Sequence, residues 1–131
     1  MASPYAGSFR PAARVVVPVQ GTDREFVAEQ WAVELAAALA LPVHAVHVAP
    51  AGSDGEGVFD FIRSVCEKWG VRLTTLVLHG SSVAEELVEE LEPRDLVVIG
   101  TRRLAQDYHV GSVAADLVRR APCPVQIMRL G

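Results

Sequence analysis

Cysteine is scarce in this chain. Cys66 and Cys123 are its two cysteines, and they lack CxxC spacing or any partner signature. That excludes a disulfide-held scaffold and points to free thiols in a reducing, cytoplasmic compartment. Long apolar runs are missing too. The start, Met1 to Pro11, has no apolar core of signal-peptide length, and no later run approaches a membrane span. No membrane partner is therefore expected. Positive charge is in deficit: the formal net charge of −4 argues against broad affinity for nucleic acid, which needs a basic surface. No internal repeat or low-complexity block is present.

What remains is a chain of 131 residues, half of them hydrophobic, enough for one domain with a sizeable core. Ala, Ser, Pro and Gly dominate residues 1–13, which read as a flexible tail. Residues 14–131 read as the domain. The charge is unevenly spread. Residues 98–131 hold five arginines against Asp107 and Asp116, a balance of +3, whereas residues 1–97 balance to −7. The C-terminal third is the better place to seek an anionic ligand.

After the tail, strand and helix patterns alternate. Arg14 to Val19 is a β-branched run ended by a turn at Gln20-Gly21-Thr22. Asp23 to Ala40 reads as a helix, capped by Thr22 or Asp23, with Val27, Trp31, Leu35 and Leu39 facing inward. Pro42 breaks it, and Val43 to Val48 is the second strand. Pro50 to Gly57 is a loop. Val58, Ile62, Val65, Cys66 and Trp69 form a second inward stripe, closed by Gly70; Trp31 and Trp69 are thus expected in the core. Val71 to Leu78 is the third strand. Ser82 with Glu85 is a capping box opening a third helix, with Val83, Leu87, Val88 and Leu91 inward. Asp95 to Ile99 is the fourth strand. Gly111-Ser112 opens a fourth helix carrying Val113, Leu117 and Val118. Pro122-Cys123-Pro124 ends it before a fifth strand, Val125 to Met128. All strands but the third are dense in Val, Ile and Leu with little alternation, the pattern of parallel strands covered on both faces. The alternation predicts a doubly wound α/β sheet.

In such a sheet, ligands sit beyond the carboxyl ends of the strands, where strand order reverses. Of the segments at that edge, Gly100 to Ser112 is the most informative. Gly100 permits a sharp turn, Arg102 and Arg103 can fork onto phosphate oxygens, and the helix opened by Gly111-Ser112 offers free N–H groups to an anion.

The chain resembles the universal stress protein family over residues 14–130. The matching pieces are RVVVPVQGT, the second strand ending in His47-Val48, DLVVIG, and GSVAADLVRRAPCPVQIM. The resemblance implies a five-stranded parallel sheet of order 3-2-1-4-5 with helices on both faces, of the flavodoxin-like and adenine-nucleotide alpha hydrolase-like kind. It also implies a homodimer paired through the last strand, placing Val125, Ile127 and Met128 at the interface.

One branch of that family binds ATP through a glycine, two residues, a second glycine, nine residues, then glycine with Ser or Thr. Carried across, Gly100 matches the first glycine and Gly111-Ser112 the last pair. Arg103 stands at the second glycine, and only the seven residues Leu104 to Val110 follow it, so the loop is two short. Gln20 replaces the aspartate usual in the turn after strand one. Pro18, Val48, Ile99 and Val113 match positions lining the adenine pocket. An arginine would crowd the path by which backbone N–H groups approach phosphates. ATP binding is therefore expected to be impaired or absent, with AMP or a simple anion as other candidate ligands. The alternative is an ATP-binding protein using the Gly100–Ser112 loop.

The remaining constellations carry bland readings. His44 and His47 stand three apart in a strand and so point to opposite faces, unable to share a metal. His79 and His109 read as surface residues. Glu85, Glu86, Glu89, Glu90 and Glu92 read as a solvated helix face, Cys123 as buried with no basic neighbour to activate it. No nucleophile elbow is present. The turn after strand one lacks the Ser-Gly-Gly-type loop of adenylate-transferring enzymes and the acidic cluster of a phosphoacceptor receiver. The expectation is a non-catalytic stress-response domain, working as a homodimer through an unknown protein partner or a small ligand.

Overall fold

The computed structural model describes residues 11–20, 26–102 and 112–130. Its elements alternate without exception: β1 (Arg14–Pro18), α1 (Phe26–Leu39), β2 (Val43–Ala49), α2 (Asp60–Trp69), β3 (Leu73–His79), α3 (Val83–Glu90), β4 (Asp95–Arg102), α4 (Ser112–Arg120) and β5 (Val125–Leu130). The strands form one sheet of order β3-β2-β1-β4-β5, and every neighbouring pair is parallel. This is the arrangement the resemblance implies.

Alternate residues of the central strands enter two separate cores. Val15, Val17 and Val19 pack with Ala32, Val33 and Ala36 of α1 and Ile62, Val65 and Cys66 of α2. Val16, Val97 and Ile99 pack with Leu87 of α3 and with Ala114 and Leu117 of α4. Helices α1 and α2 thus cover one face and α3 and α4 the other. Double coverage explains why the strand runs are apolar with little alternation. Edge strand β3 is the exception, with Thr74 and Thr75 exposed.

Local signals hold where their chemistry is specific. Ser82 Oγ accepts a hydrogen bond from the Glu85 N–H at 3.3 Å, one half of the expected capping box. Gly70 ends α2 in the left-handed conformation at φ 67°, where a glycine carries no Cβ penalty. The proposed caps of α1, Thr22 and Asp23, lie outside the described residues, as do residues 1–10.

The inward stripe of α1 is corrected. Val27 is 60% exposed, Trp31 37% and Leu39 50%, while Ala28, Ala32, Val33 and Ala36 are buried. This helix is apolar around most of its circumference, so four-residue spacing fits two stripes one residue apart. The alanine stripe lets the helix approach the sheet closely, and that geometry wins. Trp69 is likewise 43% exposed rather than core. It is the last residue of α2, beyond the helix's reach over the sheet. Val118 is exposed as well; Leu117 and Ala114 form the buried face of α4 instead.

The fourth strand also runs past its predicted end. Gly100 does not turn off the sheet but pairs with Met128, and Thr101 and Arg102 pair with Arg129 and Leu130. Because β5 continues to Leu130, ladder partners remain available to β4 for three further residues.

Candidate functional site

At the carboxyl ends of β1 and β2 lies a cavity of about 290 Å³. Its floor comes from Pro18 and Val19 at the end of β1 and from Val46 and Val48 of β2. Val83 and Leu87 of α3 and Val113 in the first turn of α4 close the side. The walls are thus chiefly aliphatic, and Gln20 and His47 are the polar residues among them. An aliphatic slot with a few polar groups at its rim suits a flat, weakly polar ring.

A second, more open cavity of about 420 Å³ adjoins the first and shares Gln20 and His47 with it. Its other wall is the β2–α2 loop, with Ser53, Asp54, Glu56 and Val58. Among the described residues no lysine or arginine lines it, whereas Asp54 and Glu56 do, which disfavours a phosphate beside them. Within the loop, the Glu56 N–H donates to Asp54 Oδ1 at 2.9 Å. Gly55 has φ 69°, and a Cβ on it would stand 2.9 Å from His47 Cδ2. Only glycine allows the loop to lie this close to the ring.

His47 is held from the other side as well. Its Nδ1 lies 2.7 Å from the Val19 carbonyl. A carbonyl can only accept, so Nδ1 carries the proton and donates. His44 points to the opposite face, as the strand spacing predicts. Its Nε2 donates to Glu90 Oε1 at 3.1 Å, and its Nδ1 lies 2.6 Å from Thr74 Oγ1.

The structure brings Pro18, Gln20, Val48 and Val113 together on the first cavity. Ile99 lies in the α3–α4 core rather than on the cavity wall. Gly100 sits within β4 and Ser112 begins α4. The Arg102 and Ser112 side chains, and Arg103, His109 and Gly111 entirely, lie outside the described residues. Val125 and Ile127 pack toward the α3–α4 core and Met128 toward the α1–α2 core. Strand β5 is an edge strand of the sheet. His47 and the 53–58 loop had no motif in the sequence to mark them as site residues; the glycines at 52, 55 and 57 beside a strand-end histidine were the available signal.

At the opposite end of the strands the polar residues satisfy one another. Arg14 Nε donates to Asp95 Oδ1 at 2.7 Å and its Nη2 to Oδ2 at 3.2 Å. The Glu92 N–H also donates to Asp95 Oδ2 at 2.8 Å. The hydrogen bond to Asp95 raises the Arg14 pKa further above its ordinary value. Glu90, expected on a solvated face, instead lies 3.9 Å from Arg14 Nη2 and bonds His44. Cys123 is half-buried rather than buried, and Arg14 is near enough to act on it electrostatically. Even so, burial pushes the thiols of Cys66 and Cys123 up to about 11. Both stay protonated at neutral pH and are poor nucleophiles. Among the described residues, no group of three or more His, Cys, Asp or Glu is placed to hold a metal ion, and no helix is long and apolar enough to cross a membrane.

A doubly wound parallel sheet with an aliphatic cavity at its strand ends, bounded by the first turn of a helix, defines a class of α/β proteins whose strand-end crevice is the usual place for a ligand. Within that class, the sequence model of the universal stress protein family matches residues 63–129, just over half of the chain. The chain belongs to the universal stress protein family. It is 28% identical to a universal stress protein of Methanocaldococcus jannaschii, over 88% of this chain and 81% of that one. Solved structures show the same fold. A universal stress protein of Archaeoglobus fulgidus in complex with dAMP is 24% identical, with a TM-score of 0.68, covering 90% of this chain and 98% of that one. A universal stress protein in complex with cAMP is 19% identical, with a TM-score of 0.71, covering 92% and 99%.

Proposed function

We propose that this chain is a non-catalytic, cytoplasmic stress-response domain that works as a homodimer and senses an adenine nucleoside monophosphate. The observation that carries the reading is the aliphatic cavity between the ends of β1 and β2 and the first turns of α3 and α4. Its walls suit an adenine ring, and Val113 places the start of α4, with its free N–H groups, beside it. The ligands of the two solved relatives, dAMP and cAMP, each combine adenine with a single phosphate. A monophosphate needs few donors; on the sequence, Arg102, Arg103 and the N–H groups near Gly111 and Ser112 are the candidates to supply them, to a simple anion as well. A triphosphate needs the glycine-rich cradle, which Arg103 and the shortened loop deny it.

The thiols held protonated near 11 and the mutual pairing of Arg14, Asp95, Glu90 and His44 support a role without catalysis. The open outer edge of β5 supports pairing with a second copy, since an unprotected edge invites unwanted strands. A protein partner would then read the dimer and its ligand.

Calorimetry and light scattering on one sample test this. AMP and ATP are expected to bind within about threefold of each other, ATP no tighter than about 0.1 mM, or roughly −5.5 kcal/mol, to a dimer at tens of micromolar. ATP binding tenfold tighter than AMP would favour the alternative, an ATP-binding protein using the Gly100–Ser112 loop. A monomer would remove the β5 pairing.

A further inference from the structure

The second cavity carries an assignment that neither the fold nor the aliphatic slot requires. His47 borders both cavities. Its ring is gripped between the end of β1, through the Val19 carbonyl at 2.7 Å, and Gly55 of the β2–α2 loop. Because Nδ1 must donate to that carbonyl, the neutral ring presents Nε2 as a bare lone pair, and among the described residues Nε2 has no hydrogen-bond partner. Asp54 and Glu56 beside it are also acceptors, and among the described residues no lysine or arginine lines this cavity. Every described polar side chain here, apart from Gln20 and Ser53, asks for a hydrogen-bond donor on the ligand.

We propose that His47 is a specificity-determining residue whose Nε2 accepts a hydrogen bond from a neutral donor on the bound nucleotide, selecting donor-bearing ligands over those lacking the group. This rests on the nucleoside monophosphate reading above. Two groups on such a ligand carry that chemistry, the ribose 2′-hydroxyl and the exocyclic amine of the base. Phosphate is turned the other way, toward α4, by the acceptors around His47.

The test compares three probes on the full chain: AMP, dAMP, which lacks the 2′-hydroxyl, and purine riboside 5′-monophosphate, which lacks the amine. One lost hydrogen bond corresponds to about a 3- to 10-fold weaker affinity. AMP is expected to exceed one of the two analogues by that factor, and the identity of the weaker analogue names the group. In His47→Asn the shorter amide can still donate to the Val19 carbonyl but has nothing at the Nε2 position. The preference is expected to disappear there, with AMP falling to the level of the analogue. His47→Gln, which carries an oxygen near the Nε2 position, is expected to retain part of it.

A second readout needs no substitution. In imidazole ¹⁵N spectra of the wild-type protein above neutral pH, Nε2 should report a bare nitrogen that moves upfield on saturation with AMP. Equal affinities for all three probes, a preference unchanged in His47→Asn, or an Nε2 resonance unmoved by AMP would each overturn the assignment while leaving the monophosphate site standing. Failure of all three probes to bind would overturn both.

Discussion

At the start of the strands Arg14, Asp95, Glu90, His44 and Thr74 close upon one another; at their ends Gln20 and His47 face open cavities. Both edges carry histidine from the same strand, three residues apart, and strand geometry turns one to each face. His44 has both ring nitrogens engaged. His47 has one engaged and, among the described residues, one without a partner. A polar group whose partners are all internal contributes to folding, whereas one fixed on a single side and open on the other is ready for a ligand. The difference separates a structural edge from the edge proposed to bind, without reference to any motif.

The comparison can be broken by substitution. Asp95→Ala should produce the largest effect. The Asp95 side chain is 1% exposed and accepts from both Arg14 and the Glu92 N–H. Its removal leaves Arg14 without its bidentate partner, at a cost of about 3 kcal/mol in chemical denaturation. Gln20→Ala at the other edge should change stability by less than about 0.5 kcal/mol and weaken nucleotide binding instead. Equal losses at both positions would erase the distinction between the edges.

A smaller effect concerns pH. Burial raises the Cys66 and Cys123 thiols from an ordinary 9.0 to about 11. The unfolded chain therefore loses these protons first as pH rises. Their contribution to stability is complete below pH 9 and is lost as pH climbs toward 11. Cys66→Ser should flatten part of that decline in denaturation profiles between those values; an unaltered profile would show that Cys66 does not feel its buried surroundings.

Much of the fold was legible because its signals are chemically specific. Valine-rich strands bounded by Gly and Pro, the Ser82–Glu85 cap and the Gly70 terminus each have few alternative explanations. The face of α1 was not legible, because a helix apolar on nearly all sides contains two acceptable stripes, and only the sheet selects Ala28, Ala32 and Ala36 over Val27, Trp31 and Leu39. The end of β4 was hidden for a similar reason: Gly100 reads locally as a turn, but β5 supplies hydrogen-bond partners through Leu130. At the site, Pro18, Gln20, Val48 and Val113 emerged from the family resemblance and meet on one cavity. The 53–58 loop did not, since its closeness to His47 is a tertiary contact that spacing alone cannot encode. Glu90 was hidden likewise, its partners lying on β1 and β2.

The most direct measurement is amide NMR during titration with AMP at low salt. Shifts should saturate together at Val19, Gln20, Val48 and Val113, with little change at Leu41, Trp69 and Arg72, which line a separate cavity of about 380 Å³ at the starts of the strands. Shifts centred on Trp69 and Arg72, or no saturable shifts at millimolar AMP, would contradict a nucleotide site at the strand ends.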